Sequence, residues 1–150
     1  MPESDSPHFH HVHHLLWESY TLMVPIFDEV FADSELTLSL AGTLDMIGVW
    51  PGSTTAELSR RGHKTQQAFS QLAARLEKLG YVERRVGVGR GVGLYLTPAG
   101  EVARADGNRR EQQIEERLRE LFGEETYAQL GESLERVLAA FGQQPESAGV

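Results

Sequence analysis

The sequence predicts a mainly α-helical fold carrying one small two-stranded β-ribbon. Three observations lead there. Apolar residues recur at helical spacing through most of the 150 residues, and a Thr or a Gly marks the end of nearly every such stretch. A single segment, 81–96, breaks the period with two β-prone runs around a glycine-rich turn.

Taken in order, Val12, Leu16, Tyr20, Met23, Phe27 and Val30–Phe31 form the stripe of a first helix. Leu15, Leu22 and Ile26 widen it, which predicts a helix covered on more than one side. Pro25 lies inside and predicts a kink or a split. A second helix starts with Thr37 as N-cap, carries Leu40, Leu44 and Ile47, and ends before Pro51-Gly52. Thr54 and Glu57 have capping-box spacing and open a short helix to Arg61, which Gly62 interrupts. The next helix runs from about Gln66 to Leu79 with Thr65 as cap, an apolar face of Phe69, Leu72, Ala73, Leu76 and Leu79, and Gly80 as its stop. Residues 81–86 and 92–96 form the ribbon, with Gly87, Gly89 and Gly91 around Arg90 at the tip. Thr97-Pro98 then starts a helix over about 98–122, followed by another over 124–141. The termini, 1–7 and 142–150, read as flexible tails.

Length fits one domain with a real core. The chain has no cysteine, which excludes disulfides, thiolate metal sites and thiol redox chemistry. The N-terminus has no basic region followed by an apolar run, and no stretch approaches the roughly 18–20 apolar residues that span a bilayer. The expectation is a cytoplasmic protein with no membrane partner. Net charge is −8, yet it is unevenly spread. Residues 1–52 hold no Lys or Arg and 8 acids; 53–96 hold 8 basic and 3 acidic residues; 97–150 hold 6 and 11. A positive island between acidic flanks marks a surface for a polyanion, because counterion release depends on the local charge.

The island coincides with a short helix, a tight turn and a second amphipathic helix: a helix-turn-helix. Its second helix fits the DNA major groove when one face is apolar and the other polar to basic. Gln66, Gln67, Ser70 and Gln71 are the candidates to read bases, since an amide donates and accepts at once on adenine. Lys64, Thr65, Arg75, Arg84 and Arg85 are the candidates for phosphate, and Arg90 at the ribbon tip for an adjacent minor groove.

The order of elements and the run LEKLGYVERR, Arg90 and LTPAG resemble the MarR family of winged helix-turn-helix transcriptional regulators over about residues 12–141. Arg90, Leu96, Thr97 and Gly100 fit the spacing of that family's wing signature. Its Asp position is Val88 here, which implies a looser tip, and Gly62-His63-Lys64 replaces a small apolar turn, which bears on the angle of the recognition helix. The resemblance implies a homodimer built from helices in 9–35 and 98–141, with 36–97 as the DNA-binding part. Two-fold symmetry then predicts a pseudo-palindromic duplex-DNA site with half-sites roughly 10 bp apart. It also implies a repressor released by a small aromatic or anionic effector, and no cofactor. Trp17, Tyr20, Met46 and Trp50 are the candidates to line an effector crevice between the first two helices and the winged part.

The competing class is a metal-responsive or protein-interaction module on the same scaffold, using the histidines of His8–His14, where His10 and His14 stand at i,i+4. No Cys or well-placed carboxylate completes a metal site nearby, and Glu18 or a dimer partner is the candidate to contribute one. The glycines from Gly87 to Gly93 precede a strand rather than a helix N-terminus, so they do not form a phosphate loop. No nucleophile elbow, zinc-hydrolase motif or carboxylate dyad is present, and an enzyme is not expected. Arg104, Arg109 and Arg110 on the fifth helix are candidates for structural ion pairs.

Overall fold

The computed structural model describes residues 11–87 and 91–142. Helix α1 spans Val12–Phe31, α2 Leu38–Val49, α3 Thr55–Arg61 and α4 Gln66–Lys78. Strands β1 (Val82–Val86) and β2 (Val92–Leu96) follow, then α5 (Pro98–Phe122) and α6 (Glu124–Gly142). The chain divides into two compact units at Glu111/Gln112.

Within the first unit the caps act as their residue types dictate. The hydroxyls of Thr37, Thr54 and Thr65 accept from the amides of Leu40, Glu57 and Ala68, and the Glu57 carboxylate returns to the Thr54 amide at 2.8 Å. Each satisfies a donor that the first turn of a helix leaves unpaired. The core they orient consists of Leu40, Leu44, Ile47, Leu58, Phe69, Ala73, Leu76, Val82 and Leu94, all buried. Each large aliphatic there contributes roughly 1.5–3 kcal/mol of burial. The two buried hydroxyls are satisfied locally: Thr43 donates to the Ser39 carbonyl and Ser59 to that of Ala56.

The ribbon is antiparallel, with Val82 opposite Leu96 and Val86 opposite Val92. Its base is fixed at close quarters. The Thr97 hydroxyl donates to the Gly80 carbonyl at 2.6 Å and accepts from the Gly100 amide at 3.0 Å, so it ties the ribbon to the start of α5. Gly52, at φ +82°, and Ser53 bond to Leu94, bringing the α2–α3 turn alongside β2. At Gly93 a Cβ would meet the Gly52 carbonyl oxygen at 2.6 Å, which requires glycine.

Of the two outcomes expected at Pro25, a split does not occur: α1 is one run from Val12 to Phe31. A proline removes one backbone donor, and the uninterrupted turns on either side hold the helix. Within the single chain only Val30 and Phe31 of α1 are buried, while Val12, Leu15, Leu16, Trp17, Tyr20 and Leu22 are exposed. The last helix runs one residue further than expected, taking in Gly142.

The second unit holds the end of α5 and α6, joined at Gly123 with φ +80°. Tyr127 donates to the Glu115 carboxylate, and the Arg119 guanidinium lies 4.6 Å over the Tyr127 ring. No residue of α6 is buried, although Leu130, Leu134, Val137, Leu138 and Phe141 recur along it at helical spacing. No helix among the described residues is long and apolar enough to cross a membrane.

Candidate nucleic-acid interface

Helices α3 and α4 are held as a pair by the turn between them. The Gly62 amide donates to the Leu58 carbonyl at 2.9 Å and the Lys64 amide to that of Ser59 at 3.0 Å. His63 adopts φ +51°, a left-handed conformation that His tolerates better than β-branched residues do. A Cβ on Gly62 would lie 3.0 Å from the Met46 sulfur, so a small residue lets α2 approach the turn. The sequence Gly62-His63-Lys64 therefore closes the turn with a cation at its exit rather than an apolar residue.

From Thr65 onward, α4 turns Phe69, Ala73 and Leu76 inward. Lys64, Thr65, Gln66, Gln67, Gln71 and Arg75 are exposed and Ser70 is half-buried. The first turn of α4 contains no acid. Part of this face borders a groove of about 450 Å³ lined by Ser39, Lys64, Thr65, Ala68, Gln71, Leu72 and Arg75. The lining holds two cations, two hydroxyls and an amide, and no carboxylate. Ser39 was not singled out from the sequence. It comes from the first turn of α2, and its proximity to α4 depends on tertiary packing; the only local signal was its place two residues after the Thr37 cap.

The ribbon arginines are differently placed. The Arg84 Nε bonds to the Glu77 carboxylate of α4 at 2.8 Å. Arg85 bonds to Glu83 through Nε and Nη2, and its guanidinium lies 4.4 Å over the Tyr95 ring. Arg90 and Val88 lie outside the described residues.

Of the effector candidates, Trp17 and Tyr20 lie on α1, and Met46 and Trp50 at the end of α2. Met46 packs at the helix-turn-helix turn, and Trp50, at the end of α2, carries the Arg61 guanidinium 4.7 Å over its ring. Trp17 and Tyr20 are 68% and 57% exposed on α1, with the Tyr20 ring 6.0 Å from that of Phe27. Of the histidine cluster, His8 and His10 lie outside the described residues. The rings of His11, His13 and His14 lie 4.4–6.5 Å apart, and among the described residues no three His, Asp or Glu side chains gather to hold a metal.

The arginines of α5 make ion pairs. Arg104 bonds Asp45 of α2 at 2.8 Å, and Arg109 bonds Asp106 of its own helix at 2.7 Å. Arg110 joins Asp106, Asp33 and the Val30 carbonyl. Its hydrogen bonds hold the carboxyls of Asp33 and Asp106 below the usual carboxylate range and raise its own pKa.

A helix-turn-helix followed by a β-ribbon docked through its base defines a winged helix-turn-helix protein. Residues 34–91, which include the helix-turn-helix and the first strand of the ribbon, match the model of the MarR family. No curated protein matches the chain. Among solved structures, the Mycobacterium tuberculosis MarR family protein Rv2887 in complex with salicylic acid is similar at 24% identity and TM-score 0.68, over 89% of this chain and 98% of that one. The Staphylococcus aureus MepR–DNA complex is similar at 19% identity and TM-score 0.74, over 91% and 99%. Bordetella bronchiseptica BpsR, whose DNA binding is regulated by 6-hydroxynicotinic acid, is similar at 19% and TM-score 0.79, over 93% and 99%. These likenesses show the fold: a MarR-type winged helix.

Proposed function

We propose that this protein is a duplex-DNA-binding transcriptional regulator, a repressor that acts as a homodimer on a pseudo-palindromic operator. The observation that carries the reading is the exposed face of α4. It joins three glutamines, two cations and two hydroxyls, and the groove beside it has no carboxylate in its lining. Amides at this density suit base edges, and Lys64 and Arg75 suit phosphates on either side. Gln66, Gln67, Ser70 and Gln71 read bases, Thr65 and Lys64 fix the helix on the backbone, and Arg90 works from the ribbon tip. The exposed apolar residues of α1 and α6 supply the interface with a second copy.

Small aromatic acids regulate or accompany two of the similar proteins, which supports an effector of that chemistry here. Trp17, Tyr20, Met46 and Trp50 are the residues proposed to meet it. Selection of bound sequences from a random duplex pool tests the reading, repeated with salicylate and 6-hydroxynicotinate. Enrichment should converge on a two-fold symmetric site with half-sites roughly 10 bp apart. A pool that emerges unenriched rejects it.

A further inference from the structure

Two of the three acids in the basic segment 53–96 sit on the ribbon's two arginines, Glu77 on Arg84 and Glu83 on Arg85. The positive surplus of the segment therefore rests on its other six basic residues: Arg60, Arg61, Lys64, Arg75, Lys78 and Arg90. We propose that Arg84 is a positioning residue rather than a phosphate ligand: its ion pair with Glu77 is a strut that sets the ribbon against the recognition helix. The inference rests on the DNA-binding reading above and assigns a role within that same surface.

The geometry carries it in three ways. First, the pair joins two elements, since Glu77 lies in the last turn of α4 and Arg84 in the middle of β1. Second, the pair sits partly exposed at the edge of the core. Side-chain exposures are 36% and 31%, and strand alternation puts Arg84 on the face shared by the buried Val82 and, opposite in register, the buried Leu94. Third, the charge balance disfavours a phosphate role. A guanidinium that stays on Glu77 is neutralised and releases no counterion, whereas one that leaves exposes a carboxylate beside DNA. An ion pair this exposed adds little to global stability, so what it supplies is orientation. Arg85 is held similarly by Glu83 and Tyr95 on the opposite face of the ribbon.

The test measures affinity of the full chain for its selected duplex by fluorescence anisotropy across a KCl series. A strut depends on both partners, so Arg84→Ala and Glu77→Ala should each weaken binding, by about threefold or more. The charge swap Arg84→Glu with Glu77→Arg, and the neutral pair Arg84→Gln with Glu77→Gln, should each bind within about threefold of wild type at the same salt slope. Lys64→Ala serves as the calibrating loss of one phosphate contact, lowering the slope by about 0.9. The proposal is overturned if Glu77→Ala tightens binding, or if the neutral pair loses about 0.9 of slope as Lys64→Ala does. Should the swap fail to fold, as judged by circular dichroism, the neutral pair decides alone. A wild-type chain that binds no duplex overturns the DNA reading itself, and this inference with it.

Discussion

A methyl group on Gly100 would lie 2.0 Å from the Tyr81 carbonyl oxygen, closer than any real contact. Backbone meets backbone there because Thr97 draws the first turn of α5 onto the end of α4. Gly100→Ala should therefore destabilise the protein by about 1–3 kcal/mol in urea unfolding. Gly42, inside α2 with nothing within 4 Å of the added carbon, provides the opposite sign: Gly42→Ala should stabilise by about 0.5–1 kcal/mol. Equal effects at the two sites would contradict this packing. Arg110 gives a second prediction. The Asp33 and Asp106 carboxyls are held low by its hydrogen bonds, so the stabilisation is complete above about pH 4 and is lost as pH falls through their lowered values. Arg110→Met should lower Tm at pH 7 and flatten the decline of Tm below pH 4; parallel Tm–pH curves for the two proteins would refute it. The caps at Thr37, Thr54, Thr65 and Thr97 were legible in the sequence because each bond closes within four residues. The partners of Arg84, Arg104 and Arg110 were not, since charge alone cannot choose among 22 acids once the chain is folded back.

At the scale of elements, helix ends were legible to within about a residue because Thr, Pro and Gly mark them by backbone preference. The bounds of α1 were legible too, whereas its continuity through Pro25 was not, because a proline reports a missing donor and not whether the surrounding turns survive it. The face of α4 that meets solvent was legible from its period; the contribution of Ser39 from α2 was not, since it exists only after the two helices pack. The recognition helix yields its own prediction. Gln67 is exposed in the first turn of α4, where a groove-bound helix reaches deepest. Gln67→Ala should shift sequence preference by up to about 1–3 kcal/mol at one base pair of each half-site, seen by repeating the selection with the variant. An unaltered preference profile removes Gln67 from base reading.

At the scale of the whole molecule, the helical terminal segments were legible as elements. The chain leaves uncovered what an isolated domain ordinarily buries: Trp17, Tyr20 and Leu22 on α1, and Leu138 and Phe141 on α6. A second copy is the economical cover, because a two-fold interface satisfies the same surface on both chains. In the proposed homodimer the basic patches of the two chains would form a matched pair for consecutive turns of a duplex. Sedimentation equilibrium of the protein on its selected duplex tests this most directly. The account predicts a complex of two 16.7 kDa chains per symmetric site, and a dimer of the same stoichiometry without DNA. A monomer that occupies a single half-site with undiminished affinity would contradict it.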